Sequence, residues 1–124
     1  MKPRTPNERT AVRAALLAAR ALILDPKHWC VGACAKDAQG EEVAPDDARA
    51  VSFCIVGAMW KITGEGYPFP YALNLLCELS PVRDNVLHDG IVWPADGVLI
   101  EWNDGVATHQ DVLALLAKGA EACH

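Results

Sequence analysis

The sequence predicts an α+β domain, mainly helical, with about four helices packed on a small two- or three-stranded sheet. Three observations carry this. Thr5 and Thr108 each open a capping box ahead of an apolar stripe of helical period, two further stripes end at helix-stopping residues, and short β-like runs lie between turn signals. With 124 residues, 52% of them hydrophobic and 22% charged, the chain has the size and balance of one folded unit, so residues 1–124 are expected to form a single domain.

The first helix is expected from Thr5, whose hydroxyl can accept from the Glu8 amide while Pro6 takes the first helical position. Val12, Leu16, Ala19 and Ile23 then share one face, Arg9, Arg13 and Arg20 lie largely off it, and Asp25-Pro26 stops the run. In residues 29–43 a small-residue run from Cys30 is followed by the turn signal Lys36-Asp37-Ala38-Gln39-Gly40, which favours a hairpin over 30–43. The rival there is a short helix over 29–36, since alanine favours helices.

Pro45-Asp46-Asp47 supplies a proline and two acids suited to a helix start, so a central second helix is expected from there, with Val51, Cys54, Ile55, Ala58 and Ile62 as its stripe. Phe53, Val56 and Trp60 add apolar surface away from that stripe, and Thr63-Gly64 ends the helix. Residues 70–79 read as a third helix buried through Leu73, Leu76 and Cys77, closed by Ser80-Pro81. Residues 82–97 hold Val86, Leu87, Ile91, Val92 and Trp93 between Asp-Gly breakers and predict no definite element. Residues 98–102 read as a strand that joins the hairpin, and Asn103-Asp104-Gly105 as the turn out of it. Thr108 caps a last helix carrying Val112, Leu113, Leu115, Leu116 and Ala120.

Charge and cysteine usage narrow the function classes. No apolar run reaches the ~18 to 20 residues of a membrane span, and the apolar stretch 11–24 is interrupted by Arg13 and Arg20 with no cleavage site after it, so neither a membrane nor an export route is expected. Five cysteines in such a chain read as free thiols of a reducing cytoplasm. The net charge of −5 divides into +4 over residues 1–24 and −9 over the rest, and an acidic whole argues against nucleic acid as a partner.

Candidate chemistry is sparse. Cys30-Val31-Gly32-Ala33 and Cys54-Ile55-Val56-Gly57-Ala58 echo one another, which fits close backbone packing at the glycines. His28, Cys30, Cys34 and Cys54 are of zinc-ligand type, but no paired C-x-x-C knuckle is present, so neither a metal site nor a cofactor is assigned. A cysteine nucleophile would need a histidine beside it, and Cys30 with His109 or His88 is the pair on offer. No local catalytic motif supports it, and no catalytic residue is assigned. Trp102, Asn103, Asp104 and His109 are the candidate binding residues, because they cluster where a strand end would meet a capped helix start, although turn chemistry accounts for Asn103 and Asp104 better than a catalytic role does.

The combined pattern Trp29-Cys30-x-Gly32-Ala33-x-Ala35-x-Asp37-x-x-Gly40, Ala50-x-x-Phe53-Cys54-x-x-Gly57-Ala58 and Trp102-Asn103-Asp104 with Thr108 resembles that of a family of small bacterial and phage proteins of unknown function. The resemblance covers most of the chain and implies a bacterial or mobile-element setting, with no activity to carry over. Cys34 stands where the family pattern has an aliphatic residue, which weakens a zinc reading further. The leading expectation is a non-catalytic accessory or regulatory module that binds another protein, with association between copies left open. The alternatives are a small thiol- or metal-dependent enzyme using Cys30, His28 or His109 and Asp104, and an inhibitor of a host protein acting through an acidic face.

Overall fold

The computed structural model describes residues 2–81, the backbone of 87–88 and 91–92, and residues 95–124. The α+β expectation holds: the described residues form five α-helices and two short antiparallel strand pairs. The first helix, α1, spans Pro6–Leu22 and begins as its sequence predicts. Thr5 Oγ1 accepts from Glu8 N at 3.1 Å, and Glu8 Oε1 accepts from Thr5 N at 3.0 Å and from Arg4 N at 2.9 Å. Those amides hold the Glu8 carboxyl below its usual range. Val12, Leu16, Ala19 and Ile23, the predicted stripe, are all fully buried. A 3-10 turn at Pro26–His28, capped by Asp25, leads into the segment that carries Trp29 and Cys30.

The predicted hairpin is present in short form, as its turn and one antiparallel bridge, with Val43 N donating to Ala35 O at 3.1 Å. Asp37 Oδ1 accepts from Gln39 N and Glu41 N, both at 2.9 Å, Gly40 takes the left-handed conformation, and Lys36 bridges Glu42. The sheet partner lies elsewhere: β1 (Ala35–Lys36) pairs antiparallel with β2 (Ser52–Phe53), Ala35 opposite Phe53 and Lys36 opposite Ser52. This displaces the second helix. Pro45-Asp46-Asp47 makes a turn rather than a helix start, with Asp47 N bonded to Ala44 O and the Asp47 carboxylate holding the Arg49 amide and guanidinium. Those contacts lower the Asp47 carboxyl to about 2. Helix α2 therefore begins only at Ile55 and runs to Thr63, and Val51 is exposed instead of lining its stripe.

Helix α3 (Phe69–Leu79) matches its predicted span to one residue and buries Leu73, Leu76 and Cys77. The expectation of no definite element over 82–97 falls largely on residues outside the described ones. Within it, β3 (Leu87–His88) pairs antiparallel with β4 (Ile91–Val92), and a helix begins at Ala95. That helix, α4 (Ala95–Gly105), overturns the strand predicted at 98–102. Val98, Leu99, Trp102 and Asn103 fall on one helical face and are buried, a spacing that a two-residue strand period cannot produce. The small sheet at β1 thus has two strands and no contribution from 98–102. Helix α5 (His109–Ala122) starts at the predicted capping box, Thr108 Oγ1 accepting from Asp111 N at 3.1 Å and Asp111 Oδ2 from Thr108 N at 2.9 Å.

The core gathers Leu16, Ile23, Ile55, Met59, Leu76, Leu99 and Leu116, all fully buried, each contributing about 1.5 to 3 kcal/mol by its removal from water. Helix α1 packs on α2 and α5, and α3 on α4 and α5. No helix among the described residues is long and apolar enough to cross a membrane. The β1–β2 pair sits at the N-terminal end of α2, and it is this junction that positions the candidate site.

Candidate functional site

The polar centre of the fold is Asn103, which is fully buried near the end of α4. Its Oδ1 accepts from Trp29 Nε1 at 2.9 Å and from Ile55 N at 3.1 Å, while its Nδ2 donates to Cys30 O at 3.1 Å and to Asp104 Oδ1 at 3.0 Å. Ile55 is the first residue of α2, so its N–H is one of the orphan donors of a helix start. Asn103 therefore ties the first turn of α2 to the 29–30 segment and to α4. Beside it His109 faces the Trp29 ring at 5.6 Å, and its Nε2–H donates to Ile23 O at 2.6 Å.

One residue before Ile55, Cys54 is fully buried and is the N-cap of α2, its Sγ accepting from Gly57 N at 3.3 Å. Continuing the β1–β2 register by one step sets Cys34 directly opposite it, and Cys54 N donates to Cys34 O at 3.1 Å. Both thiols are free. The S–H of Cys54 stabilises a thiolate on Cys34 and brings the Cys34 pKa down to about 7, against the opposing effects of burial and of the Asp104, Glu42 and Asp96 carboxylates. Cys54 moves the other way, pushed up by the proton it donates to Cys34 and then by burial. Cys34 is half-buried and lies in the wall of a cleft of about 400 Å³ formed with Glu42, Val43, Ala44, Pro45 and Trp60. That volume suits a small molecule or a short side chain.

Gly57 makes this juxtaposition sterically feasible. A Cβ on it would overlap the Cys34 carbonyl oxygen and lie 2.8 Å from the carbonyl carbon. The close packing expected at the two Cys-Gly-Ala echoes is thus realised at Gly57, whereas Gly32 has open space around it and serves a turn with φ +82°.

The model of a family of unknown function, DUF6197, matches residues 7–122. The chain belongs to this family. No curated protein and no solved structure matches it.

The structure brings Asn103, Asp104 and His109 to one region but gives them different exposures. Asn103 and Trp102 are buried, Asp104 is exposed, and His109 is half-buried. Trp102 shows only an edge, to a groove of about 300 Å³ that also touches Asp111 and Lys118. Asn103, Asp104 and Gly105, expected to be a turn, are the last residues of α4, and residues 106–108 join that helix to α5.

The pairing of Cys30 with His109 weighed in the sequence reading is not made, since each has another partner. Cys30 is buried, its thiol donates to Ala33 O at 3.5 Å and is pushed up by burial, His109 is engaged with Ile23, and His28 is exposed on the 3-10 turn. The His88 side chain lies outside the described ones. Among the described residues no three His, Cys, Asp or Glu side chains converge to hold a metal. Sequence reasoning named Cys34 and Cys54 as zinc-type residues but missed them as a thiol pair. The available signal was Cys54 itself, a small polar side chain just before the apolar run 55–59, which is where an N-cap belongs.

Proposed function

We propose that this domain acts through thiol chemistry, with Cys34 as the nucleophile in the cleft beside Trp60 and Cys54 as the buried donor that favours its thiolate. The observation that carries the reading is the register that sets the two thiols opposite each other, one facing a cleft and the other anchored on the α2 N-terminus. Cys30, Cys77 and Cys123 are buried and their thiols are pushed up by that burial, so reactivity concentrates at Cys34. Limited alkylation with iodoacetamide, mapped by peptide mass spectrometry across pH, tests this. Cys34 is expected to react first, with a rate midpoint near pH 7 that moves into the ordinary thiol range in Cys54→Ala. Equal labelling of all five cysteines, or a midpoint unchanged by Cys54→Ala, would remove the reading.

A second reading, a protein-binding role at the α4–α5 turn, is supported by the exposure there of apolar groups. Val106 is 76% exposed and Leu24 51% exposed, each within three residues in sequence of the bonded pair His109 and Ile23. The rigid support is Asn103 and the facing surface would include Asp104 and His109, with Trp102 beneath. Val106→Asp is expected to abolish recovery of a partner from the native host while leaving circular dichroism and Cys34 labelling unchanged. Undiminished recovery would sink this second reading.

A further inference from the structure

Cys54 stands across the β1–β2 junction from Cys34, within the same pairing register. We infer that Cys54 is a resolving thiol, and that the Cys34–Cys54 pair carries out thiol–disulfide exchange with a low-molecular-weight disulfide of cationic character. The inference rests on the proposed role of Cys34 and adds a second reacting residue and a substrate class.

Directly opposed residues of a hydrogen-bonded antiparallel pair have Cα atoms about 5.5 Å apart and side chains on one face, inside the range a disulfide spans. The backbone bond from Cys54 N to Cys34 O at 3.1 Å fixes that pairing, and α2 is pressed against the Cys34 carbonyl at Gly57. A disulfide therefore needs a side-chain rotation and no movement of either strand. The exchange balances in two steps. The Cys34 thiolate attacks one sulfur of the small disulfide, and the S–S bond breaks to release a thiolate that takes a proton from water. The Cys54 thiol then loses its proton to solvent and attacks the Cys34 sulfur, expelling the second small thiolate, which is protonated in turn. Two electrons pass from the protein dithiol to the small disulfide, giving one protein disulfide and two small thiols.

The first step prepares the second. Once Cys34 is capped its negative charge is gone, and with it the chief influence that holds the proton on Cys54. The Gly57 N–H, already bonded to Cys54 Sγ at 3.3 Å, then favours a thiolate at the α2 N-terminus. Charge selects the substrate class. Glu42 lines the cleft and Asp96 and Asp104 act on Cys34 through space, while Lys36 on β1 acts on Cys30. An anionic disulfide is repelled by this setting and a cationic one drawn in.

The test treats the reduced full chain with cystamine and follows intact mass and a non-reducing peptide map. The expected product has lost two hydrogens, holds no cysteamine, and links Cys34 to Cys54, whereas Cys54→Ala keeps one cysteamine on Cys34. The rate with cystamine is expected to fall as salt is raised, and that with glutathione disulfide to rise. A stable cysteamine adduct on wild-type Cys34, or a link from Cys34 to Cys30, would overturn the resolving role while leaving Cys34 as a nucleophile. A cystamine rate that salt does not slow would overturn the cationic preference. Failure of Cys34 to react with either cystamine or iodoacetamide would overturn both proposals.

Discussion

Replacing Gly57 by alanine is expected to destabilise the domain by about 3 kcal/mol, measured as a shift of the denaturation midpoint at unchanged slope. Two effects oppose each other. Alanine is the better helix former by roughly 1 kcal/mol in a helix interior, which favours the variant. Its Cβ, however, would overlap the Cys34 carbonyl oxygen and lie 2.8 Å from the carbonyl carbon, so the neighbour that must yield is backbone and not the end of a flexible side chain. Giving way would break the bond from Cys54 N to Cys34 O and open the β1–β2 pair. The steric cost wins. A variant as stable as the parent would mean that α2 does not sit against Cys34 in solution, and the thiol pair would go with it.

Asn103→Ala is expected to cost about 3 to 4 kcal/mol, because it strands several groups at once. Trp29 Nε1 and Ile55 N lose their acceptor and Cys30 O loses a donor, the last two buried and the first partly so, and each orphaned buried group costs roughly 1 to 3 kcal/mol. Chemical denaturation followed by tryptophan fluorescence reads the loss, since Trp29 is one of the released partners. A change below about 1 kcal/mol would show that these groups are not paired through Asn103. The same burial makes Asn103 unsuitable as a surface probe of partner binding, so Val106 serves that purpose instead.

What could be read from the sequence follows from how local each signal is. Helices α1 and α5 declare themselves because a capping box and an apolar stripe are complete within a few turns, and Val12, Leu16, Val112 and Leu116 go where the stripe says. Residues 98–102 misled because Val98, Ile100 and Trp102 alternate like a strand. The positions that matter are Val98, Leu99, Trp102 and Asn103, whose helical spacing needs α4 to begin at Ala95. The acids at 46 and 47 suit a helix start by composition, yet Asp47 closes a local turn with Arg49 and leaves the chain extended into β2. Asn103 reads as turn chemistry from its neighbours, and nothing local says that its amide faces the core. The Cys34–Cys54 pair was the least legible of all, because it depends on the register of two strands of two residues each.

The packing of α1 on α5 has a consequence for how the chain comes together. Arg20 Nε donates to Leu113 O at 3.3 Å, and Gly119 is so close to α1 that a Cβ there would lie 2.9 Å from Leu16 Cδ1. Two helices far apart in the sequence are thus packed directly on each other. Until α5 has emerged, the apolar stripe of α1 has only α2 and α3 to lean on, so the nascent domain carries an uncovered seam through most of its synthesis. Closing a loop of nearly the whole chain length costs only slowly more entropy as it grows, but it raises the mean sequence separation of contacts well above that of a simple helical hairpin. In kinetic terms, folding of this small helical domain is complete only when α5 has closed onto α1.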